Sequence, residues 1–266
     1  MTSISSQTAA STLPIYTATT STGGDTVKQS ATSVSTTSNS QSASTTPSAA
    51  DISAAEAAGA NSGSYSFSTV AQNALTVVNA GIAKVGSQPS IYTTGAQWNQ
   101  IFGNLDRRSL YAISTNEGGK FTTLEQQVAN STLQNQVSQA LGPPGQNGYT
   151  SENFQNVVKF LQNVSPEEQQ SIGWATNIAN AQVSYSETAT TEGKTPTKLT
   201  STNPLVQVLI AAETAAQGNS STDRTIGSLN SIADIKSQPW AKGFESQIDS
   251  AYASYYKSGS SLNITA

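Results

Sequence analysis

The chain has 266 residues, 12 Lys plus Arg against 16 Asp plus Glu, a formal net charge of −4, and neither cysteine nor histidine. Disulfides, thiolate nucleophiles, Cys/His zinc sites and any triad or proton shuttle built on imidazole are therefore excluded. The charges are scattered, with Arg107-Arg108 the only basic doublet, so neither a nucleic-acid footprint nor a Lys/Arg-rich membrane-surface helix is visible.

Residues 1–65 are dominated by Ser, Thr, Ala, Gln, Asn and Gly, with Asp25, Lys28, Asp51 and Glu56 as their charges. Their few aliphatics (Ile4, Leu13, Ile15, Val27, Val34 and Ile52) follow neither a two-residue nor a 3.6-residue period. Ordering costs roughly 1–2 kcal/mol per residue, more than such sparse apolar surface offsets, so this stretch is expected to be a disordered tail. It has no basic n-region and no continuous apolar core, so no Sec signal peptide is read there. The longest apolar run, Leu205 to Ala212, is interrupted by Gln207 and falls far short of the ~20 residues that span a bilayer. A soluble protein without membrane insertion is expected.

The remaining residues, 66–258, suit one helical domain. Val70, Ala74, Val77, Val78, Gly81, Ile82 and Val85 share a stripe that predicts a helix over about 67–85, ended by Gly86. A short segment around 97–102 precedes a helix over about 106–116. After Gly118-Gly119 a longer helix restarts near Thr123 and reaches Leu141, where Gly142-Pro143-Pro144-Gly145 stops it. Phe154, Val157, Val158, Leu161 and Val164 define the next apolar face. Ser165-Pro166-Glu167-Glu168 then has a capping serine, proline at the first helical position and glutamate at the third, opening a helix expected to reach Tyr185. Residues 186–203, rich in Thr, read as a linker at which the domain could subdivide. Pro204 opens a helix to about Gln217, apolar almost all round and so expected at the centre of the core. Helices over about 223–236 and from Pro239 follow, the last aligning Trp240, Phe244, Ile248, Tyr252 and Tyr255. Residues 259–266 are a polar tail. No sustained alternation argues for strands, and the fold class is all-α with seven or eight helices.

One loop bears a candidate metal site. Ser114 to Glu125 lies between two helical patterns and resembles an EF-hand over about 105–141, with Gly119 at loop position six, Phe121 at eight and Glu125 at twelve. No cofactor is assigned; if any metal binds, the oxygen-only donors of a chain without Cys or His point to calcium or magnesium, and the resemblance implies calcium, held by Ser114, Asn116, the Lys120 carbonyl, Thr122 and Glu125. Ser114 stands where the family has Asp and Gly118 where it has an oxygen-bearing side chain, so the loop carries little ligand charge. The same residues also satisfy a simpler pattern: a glycine pair ends one helix, and Thr122-x-x-Glu125 is a capping box that opens the next.

Other motifs carry less. Gly193-Lys194-Thr195 ends like a phosphate loop, but Thr188 stands where glycine is required and Pro196 interrupts the helix that would hold phosphate. Ser254 to Lys257 has a bare Ser-x-x-Lys spacing without its usual companions. Glu167 and Glu168 are adjacent on a helix, so they do not face a common substrate.

In composition the chain is similar to bacterial harpins and other type III or flagellar-type secretion substrates, which are polar, acidic, cysteine-free and led by Ser/Thr/Ile/Gln-rich segments. That resemblance implies a non-enzymatic protein, secreted without a Sec signal and otherwise cytoplasmic, with a secretion chaperone or another protein as partner. The alternative is a weak calcium-binding interaction module. No catalytic residue is assigned, and no signature of an oligomeric state is present.

Overall fold

The computed structural model describes residues 49–216, 229 and 231–257. The polar tail 259–266, residues 1–48 of the expected disordered tail, and most of the helix expected over 223–236 lie outside the described residues. The described residues belong to one compact unit, Thr46–Ala266. Among them no β-strand occurs, only an isolated bridge between Gly145 and Gly148, and the all-α expectation holds. Among the described residues no helix is long and apolar enough to cross a membrane.

Eleven α-helices are present among the described residues, more than the seven or eight expected. The first, α1 (Ala49–Ala60), falls inside the stretch 1–65 that composition assigned to the tail. Alanine is the strongest helix former, and its run here winds round the helix without an apolar stripe, which hides the segment from periodicity. It packs on α2 (Phe67–Val85) with Ala55 buried. Its end is fastened to the next helices: Gly59 accepts hydrogen bonds from the Asp106 N–H at 2.7 Å and the Ser109 hydroxyl at 3.1 Å. The helical unit therefore begins by residue 49, not 66.

Helix α2 crosses α3 (Gly95–Phe102) and α4 (Arg107–Ser114). After a single 3-10 turn, α5 (Thr123–Leu141) buries Glu125, Ala129, Leu133 and Val137, one residue per turn and a half-polar helix otherwise. Helix α6 (Ser151–Gln162) leads to α7 (Pro166–Gln169) and α8 (Ile172–Thr191). The single helix expected from Pro166 to Tyr185 is thus broken after Gln169, where the Ser171 side chain caps a new start by accepting from the Trp174 N–H at 3.0 Å.

At its far end α8 continues to Thr191, six residues into the expected linker. Its Ser and Thr hydroxyls bond to carbonyls four residues back: Ser186 to Gln182, Thr188 to Ser184, Thr190 to Ser186 and Thr191 to Glu187, at 2.8–3.0 Å. Residues that favour turns when their side chains compete with the backbone are here absorbed within the helix. Gly193, at φ 73°, follows its end.

Helix α8 is also the central one, with eleven of its twenty residues buried. Helix α9 (Pro204–Ala216), expected in that role, buries Leu205, Val206, Leu209, Ala212 and Glu213 but leaves Gln207 and Ala211 exposed. Two short helices complete the unit, α10 (Ile232–Lys236) and α11 (Glu245–Tyr252), the latter continuing as a π turn to Lys257. The helix expected from Pro239 is only a 3-10 turn there, because Gly243 at φ 89° resets the chain before α11.

Among the described residues the core has two apolar clusters. One joins α1–α4 and the first half of α5, through Leu133; the other runs from Val137 through α6, α8, α9 and α11. The division falls along α5 instead of at 186–203, since α8 and α9 pack together across that linker.

Candidate functional site

Where the two clusters meet, two arginines face two glutamates. Arg107 forks onto Glu168: its Nε donates to Oε2 at 2.9 Å and its Nη2 to Oε1 at 2.6 Å. Its Nη1 donates to the Leu133 carbonyl at 3.0 Å and to Gln136 Oε1 at 2.9 Å, while the guanidinium lies 4.8 Å from the centre of the Phe160 ring. One side chain thus ties α4 to α5, α6 and α7. Arg108 forks onto Glu167 at 3.0 and 2.6 Å and donates to the Ser62 and Tyr65 carbonyls at 2.6 and 2.8 Å. Bidentate Arg–carboxylate pairs are among the stronger and more directional polar contacts.

The two glutamates answer burial differently. Glu168, 7% exposed in its side chain, has its carboxyl pushed up by burial, against the opposing pull of Arg107. Burial also works against the charge of Glu167, but the Arg108 hydrogen bonds and charge overcome it and hold this carboxyl below the usual range.

Each doublet is visible in the sequence, but their mutual pairing across about sixty residues is not. Adjacent glutamates point apart on a helix, which rules out a shared substrate; here it lets each take its own arginine.

The Arg107–Glu168 pair borders a cleft of about 460 Å³ between α4 and α5 on one side and the start of α8 on the other. Amides and hydroxyls stud its walls, Gln126, Gln127, Asn130 and Gln134 from α5, Asn177 from α8, and Ser114, Thr115 and Ser171 at helix ends, while apolar atoms, those of the half-buried Ile172 among them, make up the larger share of its surface. Leu133, Val137 and Trp174 lie beneath these and are nearly covered. The Trp174 indole N–H donates to the Leu161 carbonyl at 2.8 Å. Tyr111, whose hydroxyl is pushed up by burial, closes one end.

The loop with the expected calcium ligands adjoins this cleft through Ser114 and Thr115. The side-chain oxygens of Ser114, Asn116, Thr122 and Glu125 are engaged locally. The Ser114 hydroxyl donates to the Tyr111 carbonyl at 2.9 Å. Asn116, left-handed at φ 54°, accepts from the Phe121 N–H at 2.8 Å through Oδ1. Thr122 and Glu125 form the reciprocal capping box: Glu125 Oε2 accepts from the Thr122 N–H at 2.7 Å, and Thr122 Oγ1 from the Glu125 N–H at 3.3 Å. Lys120 is exposed, and Glu125 is buried. The sequence-predicted set therefore brings Thr122 and Glu125 together as a helix start, with Asn116 fastening the turn and Ser114 set back on α4. No group of three acidic side chains placed to share a metal ion occurs among the described residues.

A serine–lysine contact also arises. Ser151 Oγ accepts from Lys194 Nζ at 3.2 Å and donates to Glu192 Oε2 at 2.6 Å, while the Ser151 N–H donates to Glu192 Oε1 at 2.8 Å. Hydrogen bonds from Lys194 and Ser151 draw the Glu192 carboxyl down to about 2, and Glu192 in turn raises the lysine. A lysine held protonated cannot take the serine proton, so this trio caps the start of α6 and does not activate a nucleophile.

Comparison with protein families, with curated proteins and with solved structures finds no match to this chain.

Proposed function

We propose that the protein is a non-enzymatic, export-competent binding protein, in which residues 1–48 carry the address and the helical unit carries the recognition surface. The observation that carries the recognition half is the cleft of about 460 Å³ beside the Arg107–Glu168 pair. It lies within the size range of about 300–1,000 Å³ usual for ligand sites. Its walls hold many hydrogen-bonding groups, and its two charges neutralise one another, which suits holding a ligand better than moving a proton. The export half is supported by composition. The chain has no cysteine that could form a disulfide before passage through a secretion channel, and residues 1–48 are rich in Ser and Thr. The full chain, expressed in bacteria with a working type III apparatus, should accumulate in the medium. Equal retention in that strain and in one whose apparatus is disabled would refute the export half.

Calcium is the second reading of the 114–125 loop. It is supported by the αL turn at Asn116 and Gly118 between two helices. Glu125 supplies the only full negative charge of its ligand set, and Asn116 and Glu125 already accept backbone N–H groups at 2.8 and 2.7 Å, which places it behind the binding reading.

A further inference from the structure

The lining of the cleft points to one class of ligand, and the inference rests on reading the helical unit as the binding part but not on the export route. We infer that the cleft between α4–α5 and the start of α8 binds a neutral oligosaccharide. Three features of the site favour this ligand over others.

The first is charge. The cleft's charged side chains, Arg107 and Glu168, are 16% and 7% exposed and forked onto each other, so neither is offered to an ionic ligand. An anionic or cationic ligand would find no net countercharge.

The second is the chemistry of the rim. Gln127 and Asn130 stand exposed on α5, Asn177 faces them half-buried from α8, and Gln126 commits its amide nitrogen to the Phe121 carbonyl at 2.9 Å. A carboxamide donates through its nitrogen and accepts through its oxygen, and a sugar hydroxyl likewise does both. A row of amides therefore matches a row of neighbouring hydroxyls. Thr115 adds a hydroxyl whose proton is already given to the Tyr111 carbonyl at 2.9 Å, leaving it an acceptor.

The third is what the rim does not offer to a protein partner. A docked amphipathic helix needs an apolar stripe, whereas Leu133, Val137 and Trp174 are 5%, 8% and 7% exposed and already belong to the core, and Ile172, half-buried, is a single aliphatic side chain and no stripe. An added peptide strand needs a sheet edge, and no strand exists among the described residues.

The test uses the purified full chain in calorimetric titrations with neutral tetrasaccharides of glucose, mannose and N-acetylglucosamine, and with tetragalacturonate as the charged counterpart. At least one neutral sugar should bind with a Kd of about 1 mM or tighter, and tetragalacturonate at least tenfold more weakly. The double variant Gln127→Ala, Asn130→Ala should weaken that binding at least tenfold while its thermal melt stays at the wild-type position, because both side chains are exposed. Gln247→Ala, on α11 away from the cleft, should leave binding unchanged. The inference is overturned if no neutral sugar in the set binds, if tetragalacturonate binds best, or if the double variant binds like wild type. It is equally overturned if a peptide of residues 1–48 occupies the cleft in preference to every sugar. None of these outcomes alters whether the chain is exported, so the two proposals fail separately.

Discussion

At Gly81 an added Cβ would lie 2.4 Å from both the Cα and the carbonyl oxygen of Ile101, so α2 and α3 meet backbone to backbone. Backbone cannot swing aside as a side chain can. Gly81→Ala should cost about 1–3 kcal/mol in a urea melt, in the range of overpacked cores; an unchanged midpoint would mean the helices do not cross this closely. Glu168 sets a second residue-scale test. Glu168→Gln leaves Arg107 with a neutral partner in a nearly buried site, and removing one member of such a pair costs about 3–5 kcal/mol. Glu167→Gln should cost less, because its side chain is 27% exposed against 7% for Glu168. Equal losses by denaturant unfolding would contradict the asymmetry.

Helix ends are where the sequence was most legible, because capping is local chemistry. Ser165-Pro166-Glu167-Glu168 opens α7 with the Ser165 hydroxyl accepting from the Glu168 N–H at 3.3 Å, and Thr122 with Glu125 forms the box its spacing predicts. Helix bodies were less legible. Helix α1 is alanine all round, and the end of α8 carries Thr residues whose hydroxyls turn back on the helix, so neither gives a periodic apolar signal. Long-range partners were not legible at all: nothing local tells Ser151 that Glu192 caps its helix from 41 residues away. That cap has a pH signature. Glu192 is drawn from 4.5 down to about 2 in the folded chain, so the stability it contributes is fully present above about 4.5 and is lost as pH falls toward about 2. The acid limb of a stability–pH curve should therefore be shallower in Glu192→Gln than in wild type. Identical limbs would remove the cap from the account.

At the scale of the described residues as a whole, two apolar clusters share α5 and are joined by a double Arg–Glu clasp, with the cleft set against it. The candidate site was only partly legible for the same reason. The 114–125 loop is contiguous and could be singled out, whereas the cleft is assembled from α4, α5 and α8 and has no sequence signature. In the folded chain, the oxygens that resembled calcium ligands hold the α4–α5 corner closed. Titration with calcium to about 1 mM, the weak end for such loops, should accordingly leave the thermal melt unmoved; a rise would restore the calcium reading. The division of labour between address and recognition surface is the central claim. It is tested most directly by fusing a reporter behind residues 1–48 and, separately, behind residues 49–257, in a strain with a working type III apparatus. The account predicts that the first fusion is exported and the second retained. Export of the second fusion, or retention of the first, would contradict it.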